Sequence, residues 1–164
     1  FVRMLDGGCD ALYIARRVVR MASEDIGNAD PRALALALNA WDVQTRLGSP
    51  EGELAIAQAV AYMACAPKSN ASYMAINNAL SDVREKKTVA VPKHLQGASF
   101  AGAKRVGRGG GYKYAHDEAG GVADMTCLPP RLEGRKYYEP TDRGIEARIR
   151  ASLALARQRR GEPR

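Results

Sequence analysis

Residues 102–109 form the segment of this chain that most resembles a phosphate-binding loop. Such loops follow the pattern G-x-x-x-x-G-K-[ST], in which the lysine reaches the phosphates and the hydroxyl holds magnesium. Here Arg108 stands in place of the lysine and Gly109 in place of the hydroxyl residue, and no apolar strand leads into the segment. We therefore expect no nucleotide site in this chain.

His116, Asp117 and Glu118 could supply a metal ligand, or a base with its orienting carboxylate. A metal site needs three or four converging ligands, and His94 and Cys127 are the only obvious additions in the sequence. We favour a structural turn, in which Asp117 accepts hydrogen bonds from backbone amides or from His116. A stand-alone enzyme built around His116 and Asp117 is kept as a third hypothesis for function. No catalytic, cofactor-binding or metal-ligating residue is predicted.

The 164 residues carry a formal charge of +7 with a pI near 9.5, which favours polyanions without specifying one. Arginines crowd the C-terminal end. Six of them are candidate contacts to DNA phosphates: Arg143, Arg148, Arg150, Arg157, Arg159 and Arg160. The alternative interpretation of these arginines is that they lie on a solvated helix face and a frayed tail that ends at Arg164.

Cys9, Cys65 and Cys127 are odd in number and lack C-x-x-C spacing, so they indicate reduced thiols. No apolar run approaches the roughly 20 residues that span a bilayer, and nothing resembles a signal peptide. We expect a cytoplasmic protein without a membrane partner.

Residues 10–87 show the pattern of four amphipathic helices with short connections, an antiparallel helical domain. Asp30-Pro31 and Ser49-Pro50 each predict an N-cap followed by a proline in the first helical position. Gly48 is expected to end the second helix, and Ser69 to cap the fourth.

The larger apolar side chains are expected to form the buried stripes. These are Leu12, Ala15, Val19 and Ala22 in the first helix, Leu34, Leu38 and Trp41 in the second, and Tyr73, Ile76, Leu80 and Val83 in the fourth. The third helix is rich in alanine, so a neighbouring helix can approach it closely, and we expect it to be central.

Residues 88–140 differ in kind. Residues 88–91 alternate briefly, as an edge strand would, and glycines and prolines follow without a sustained period. We predict an irregular segment that wraps over the helices, with its tyrosines as anchors: Tyr112, Tyr114, Tyr137 and Tyr138. Thr141 is predicted to cap a last helix at 141–160. The chain is therefore predicted to be mainly α, as one domain with a helical core at 10–87.

Glu24 and Asp25 end the first helix with two acids, which the helix dipole disfavours. Their partners are expected to be Arg16, Arg20 or Lys68. An internal salt bridge is one interpretation, and a contact between subunits or domains is the other.

Four segments resemble one family in the same order along the chain. They are residues 16–31, which contain Ser-Glu-Asp-Ile-Gly, residues 64–71, residues 111–117 and residues 132–141. Together they resemble the C-terminal region of the bacterial AAA+ ATPases called replication-associated recombination protein A (also MgsA), relatives of the Werner-helicase-interacting ATPase of eukaryotes. Residues 102–109 depart from the family pattern.

The resemblance implies a fragment of a longer protein, although a processed mature chain is an alternative explanation for the start at Phe1. It implies a helical oligomerisation domain, like the collar of clamp loaders, which assembles a tetramer. The whole protein would bind and hydrolyse ATP with Mg²⁺ in a separate ATPase module. It would act on DNA at stalled forks together with single-strand binding protein, in the nucleoid-associated cytoplasm. A basic DNA-binding module, with assembly secondary, is the alternative.

Overall fold

The computed structural model describes residues 1–86 and 90–160, and it is mainly α-helical. The helices are α1 Val2–Asp6, α2 Ala11–Met21, α3 Arg32–Leu47, α4 Glu53–Cys65, α5 Ala71–Lys86 and α6 Glu146–Arg159. Those two ranges contain no β-strand, and none of their helices is long and apolar enough to cross a membrane. The predicted fold class is confirmed.

The chain divides into two compact units, each of them discontinuous in sequence. The first contains residues 1–77 and 137–150, and the second contains residues 78–136 and 151–164. Because the divisions fall inside α5 and α6, each of these helices contributes residues to both units.

Alanines form much of the core of the first unit, where α2, α3 and α4 pack against one another. Ala33, Ala37 and Ala40 of α3 are 0%, 1% and 4% exposed. Ile56 and Ala59 of α4 are completely buried. Small side chains let the helix backbones approach closely, as predicted for α4, but the longest alanine contact face belongs to α3.

The predicted stripe of α3 is wrong. Leu34 and Leu38 are 37% and 49% exposed, and Trp41 is half-buried. Both sides of α3 are apolar, and the core takes the side with the smaller residues because close backbone approach excludes leucine there.

The stripes of α2 and α5 also differ from the prediction. Ala15 and Ala22 of α2 are buried as expected, whereas Leu12 and Val19 are half-buried and Ile14 and Val18 take their place in the core. The α5 stripe lies at exposed positions throughout: Tyr73, Ile76, Leu80 and Val83.

Two predicted helix caps are confirmed. Asp30 Oδ1 accepts a hydrogen bond from the Arg32 amide at 3.2 Å at the start of α3, and Ser69 Oγ accepts one from the Ala71 amide at 3.2 Å at the start of α5. Gly48 ends α3 with a φ of 71°, as predicted.

Two other predicted caps are wrong. The α4 helix begins at Glu53, and Ser49 Oγ instead accepts a hydrogen bond from Gln44 Nε2 at 3.2 Å. The α6 helix begins at Glu146 rather than at residue 141. Thr141 instead donates its amide and its hydroxyl to the Glu146 carboxylate, each at 2.8 Å.

A π-helical turn, Ala22–Ile26, extends α2 through the Ser-Glu-Asp-Ile-Gly motif. Its Asp25 carbonyl accepts a hydrogen bond from the Ser69 amide at 2.9 Å. Gly27 follows with a φ of 51°, and a Cβ there would lie 2.9 Å from the Ser69 carbonyl oxygen. Only glycine fits this close approach, which joins the end of α2 to the start of α5.

The second unit holds the irregular residues 90–136, as predicted. It contains short 3₁₀ turns at Lys93–Leu95, Ala103–Val106, Ala115–Asp117, Ala119–Gly121 and Pro130–Leu132. The Arg135–Asp82 ion pair at 3.0 Å and a hydrogen bond from Arg159 to the Gly120 carbonyl at 3.2 Å lie inside this unit.

Two predictions about the irregular segment have different outcomes. Half of the short strand predicted at 88–91, residues 88 and 89, lies outside the described residues, and Ala90 and Val91 are irregular. The tyrosine anchors are half right: Tyr112 and Tyr114 are 52% and 54% exposed, while Tyr137 and Tyr138 are half-buried.

Candidate functional site

A depression of about 370 Å³ lies against the outward face of α2, lined by Arg16, Arg17, Arg20 and Glu24. Arg20 Nε and Glu24 Oε2 form an ion pair at 2.8 Å. The Arg16 guanidinium lies 5.3 Å from the ring centroid of Tyr13, a cation–π distance. The depression is therefore a positively charged surface, in which the single carboxylate, that of Glu24, is paired with Arg20.

The internal salt bridge predicted for this region is confirmed for Arg20 and Glu24. The Asp25 side chain is exposed, and its backbone carbonyl holds Ser69. Lys68 pairs with neither acid, because its ammonium donates to the carbonyl oxygens of Met63, Ala64 and Ala66 at the end of α4. Lys68 thus satisfies carbonyls at a helix C-terminus. A contact of any of these residues with another subunit or domain stays a prediction.

A second feature of the first unit is the outward face of α4. Glu53 is the single charged residue among the 13 of this helix. Ile56, Ala59 and Met63 face the core, and the exposed positions at helical spacing are Leu54, Gln58, Ala61 and Cys65. Leu54 is 76% exposed. The alanine content of α4 is visible in the sequence, but the uncovered face was not predicted from it; the near absence of charge in this helix is the signal that could have indicated it.

The C-terminal arginines are mostly engaged within the chain. Arg143 donates to the Lys68 carbonyl at 3.1 Å, and Arg159 to the Gly120 carbonyl at 3.2 Å. Arg157 and Arg160 are not free either, since each has an interaction within the chain. Arg148 and Arg150 are exposed. The six arginines are divided between the two units, three in each; contact with DNA stays a prediction.

Glu146 is a buried carboxylate that the sequence did not reveal. It is 0% exposed, and its oxygens accept hydrogen bonds from Tyr138 Oη, from the Thr141 amide and from Thr141 Oγ1, each at 2.8 Å. Burial raises the pKa of Glu146, but hydrogen bonds from Ser69, Thr141 and Tyr138 outweigh it, so that the pKa lies below its usual value. This carboxylate organises the start of α6.

Asp30 is a second buried carboxylate, 4% exposed. Arg32 binds it through Nε at 2.8 Å and Nη2 at 3.0 Å, and Tyr62 Oη donates to it at 2.6 Å. The hydrogen bond from Arg32 lowers the pKa of Asp30 to about 2, against a smaller opposing effect of burial. Asp30 thus connects Arg32 of α3 with Tyr62 of α4, and its hydrogen bonds have a structural role.

The enzyme-like residues are not brought together as a site. His116 and Asp117 are exposed in a 3₁₀ turn, where the His116 ring lies 5.0 Å from that of Tyr114. His94 Nε2 lies 2.9 Å from the Thr126 carbonyl. Within residues 1–86 and 90–160, no three His, Cys, Asp or Glu side chains are placed to hold a metal ion. The interpretation of His116 and Asp117 as part of a turn is confirmed.

Residues 102–109, which resemble a phosphate-binding loop in sequence, contain a 3₁₀ turn at Ala103–Val106 that is followed by further turns. The Arg108 guanidinium lies 5.2 Å from the centroid of the Phe100 ring, where it packs within the same unit.

Comparison with known proteins gives consistent matches over almost the whole chain. The sequence model of a family described as "MgsA AAA+ ATPase C terminal" matches residues 1–157. The replication-associated recombination protein A of Coxiella burnetii is 56% identical over 157 residues, 95% of this chain and 36% of that protein. The Escherichia coli K12 protein of the same name is 50% identical over 165 residues, 99% of this chain and 37% of that protein.

A eukaryotic protein also matches. The ATPase WRNIP1 of Dictyostelium discoideum is 39% identical over 140 residues, 84% of this chain and 16% of that protein. The chain thus spans little more than a third of the length of the two bacterial relatives, and less of the eukaryotic one.

Proposed function

We propose that this chain, which belongs to the family of MgsA AAA+ ATPase C-terminal domains, joins the subunits of its protein into a homo-oligomer, with a tetramer expected. The chain itself would then not be an enzyme. The whole protein would bind and hydrolyse ATP with Mg²⁺ in its ATPase module. It would act on DNA at stalled replication forks with single-strand binding protein, in the nucleoid-associated cytoplasm. Support for these roles comes from the family resemblance and from the names of the relatives.

The outward face of α4 is the observation that carries the assembly proposal. A helix that is apolar on all sides is normally buried on all sides. Here the core covers only the face of Ile56, Ala59 and Met63, and the opposite face is exposed and uncharged. Covering Leu54 alone is worth about 1.5–3 kcal/mol.

Small residues at Ala61 and Cys65 suit close contact with another helix, because they let two backbones approach. A second copy of the same chain would supply an equally uncharged surface, so no charge would be buried without a partner. The proposed interface is therefore this face of α4.

Sedimentation equilibrium at micromolar concentration tests the proposal. The chain is expected to show about four times its mass of 17.7 kDa. Ala61→Arg places a charge on the exposed face and is expected to shift the mass towards the monomer. Ala35→Arg is the matched control, since Ala35 is exposed on α3, outside the α4 face, and should leave the assembly intact.

A stable monomer across the micromolar range contradicts the assembly role. A dimer keeps the assembly role and contradicts the tetramer. Equal effects of Ala61→Arg and Ala35→Arg would place the interface elsewhere.

The alternative is a basic DNA-binding module in which assembly is secondary. Its support is the exposure of Arg148 and Arg150, since the other four candidate arginines are engaged within the chain. Tight, fork-selective binding by a monomer near physiological salt would favour this alternative. Weak binding that is lost at that salt concentration supports the assembly role.

A further inference from the structure

We propose that the α2 depression, lined by Arg16, Arg17, Arg20 and Glu24, together with the adjacent Tyr13 ring, is a binding site for single-stranded nucleic acid. The site goes beyond the assembly role, and it contains no residue of the α4 face. Binding and assembly can therefore fail separately.

The charge of the depression favours phosphate. Three guanidinium groups and one carboxylate line it, and Glu24 pairs with Arg20. No carboxylate within the described part of the chain pairs with Arg16 or Arg17. These two positive charges are the excess that a phosphodiester would neutralise, and a guanidinium binds phosphate through two parallel hydrogen bonds.

Tyr13 provides the second element of recognition. Its side chain is 45% exposed, and the Arg16 guanidinium lies 5.3 Å from the ring centroid. An exposed tyrosine ring and a guanidinium plane are surfaces on which a base can stack. A base inside a duplex is already stacked on its neighbours, so this platform selects a single strand.

Helical spacing brings the phosphate-binding and stacking groups together. Tyr13, Arg16, Arg17 and Arg20 recur at three- and four-residue steps on the side of α2 opposite its buried residues, Ala11, Ile14, Ala15 and Val18. From Tyr13 to Arg20 the helix rises roughly 10 Å. A strand lying along this face could place a base on Tyr13 and phosphates against Arg16 and Arg17.

Both ends of the site are held by backbone structure. Asp10 caps the start of α2 by accepting the Leu12 amide at 3.1 Å. The π-helical turn that carries Glu24 is held by the hydrogen bond from the Ser69 amide to the Asp25 carbonyl. Turns of this kind occur frequently at functional sites. The backbone that carries the Arg20–Glu24 pair is therefore held in place by a hydrogen bond to another part of the unit.

Fluorescence anisotropy with a labelled single-stranded oligothymidylate, titrated with the full 164-residue chain over a salt series, tests the site. Arg17→Ala is expected to reduce the slope of log K against log salt by about 0.7, the value for one phosphate contact to a single strand. Tyr13→Ala is expected to weaken binding about 5-fold or more with an unchanged slope. Tyr13→Phe should retain binding, because it keeps the ring.

Two matched controls separate this site from general attraction to a basic protein. Arg84→Ala removes an exposed arginine from α5, and Tyr73→Ala removes an exposed tyrosine from the same helix. Both are expected to leave affinity and slope nearly unchanged. Circular dichroism of each variant checks the fold. The titration is also repeated with the Ala61→Arg variant, in which the α4 face is altered, to separate binding from assembly.

Three results would overturn the proposal. The first is an equal loss from Arg17→Ala and Arg84→Ala. The second is full binding by Tyr13→Ala, and the third is a duplex that binds as tightly as the single strand. Competition by an oligoglutamate peptide at equal ionic strength, as effective as that by unlabelled oligothymidylate, would assign the depression to an acidic protein segment instead.

Discussion

Replacing Glu146 by glutamine tests whether the buried carboxylate holds the start of α6. Its oxygens receive hydrogen bonds from Ser69, from Tyr138 and from two donors of Thr141. An amide has one accepting oxygen, so at least one buried donor would lose its partner and face an NH₂ group. Loss of a charged acceptor in a buried network costs roughly 2–4 kcal/mol of unfolding free energy.

The effect should depend on pH with a definite sign. Because the pKa of Glu146 in the folded chain lies below that of an unfolded glutamate, the stabilisation is fully present above the unfolded pKa, about 4.3. It is lost as the pH falls through the lower pKa of the folded state. The difference between wild type and Glu146→Gln should therefore be constant near neutral pH and shrink below about pH 4.

Urea unfolding followed by circular dichroism at a series of pH values measures this difference. Glu139→Gln is the matched control, since Glu139 is exposed and belongs to the same unit. A double-mutant cycle with Thr141→Val should give a coupling energy of about 0.5–3 kcal/mol. A cost below about 0.5 kcal/mol at neutral pH, or one that persists unchanged in acid, would refute the reasoning.

Two further predictions concern the same unit. Asp30→Asn should lower the free energy of unfolding by about 2 kcal/mol at neutral pH. In the wild type this contribution is present above pH 3.8 and should be lost as the pH falls towards about 2, as urea unfolding at a series of pH values would measure. Asp42→Asn is the control and should change little, because it alters an exposed ion pair. Lys68→Met should lower the free energy of unfolding by about 1 kcal/mol, because the carbonyl oxygens of Met63, Ala64 and Ala66 lose their donor. Lys113→Met, at an exposed position, is the control. Equal unfolding midpoints for the two variants would contradict the role of Lys68 at the C-terminus of α4.

Local signals in the sequence predicted much of the first unit. Asp30 and Ser69 cap helices as expected, and Gly48 follows the end of α3. Each of these effects acts within one helical turn, so residue type and spacing are sufficient to predict it. Thr141 Oγ1 accepts a hydrogen bond from the Arg143 amide at 3.2 Å, but it does not cap α6, because Gly144 then takes a φ of 54° and the helix begins only at Glu146. The burial of Glu146 depends on Ser69 and Tyr138, and no local pattern announces such a contact.

The candidate sites were predictable in part for the same reason. Arg20 and Glu24 are four residues apart on α2 and its π-helical extension, and their ion pair was among those predicted from the sequence. Lys68 was misassigned to an acid, because the carbonyl oxygens at the end of α4 are equally good acceptors and lie closer along the chain. The exposed Tyr13 ring attracted no attention in the sequence, since exposure depends on the tertiary packing of α2.

The wrong choice of faces on α3 has a physical cause that also bears on assembly. Periodicity shows that a helix has an apolar side, but α3 has two, one of alanines and one with Leu34 and Leu38. Within the chain, close packing selects the alanines, and burial of large side chains is left incomplete. A monomer in solution would gain nothing from leaving Leu34, Leu38 and Leu54 in water, because each of them could be polar without disturbing the core. Burial between subunits would give Leu54, on the proposed α4 interface, a stabilising role, which is why the Ala61→Arg experiment is the most direct test of the proposed assembly.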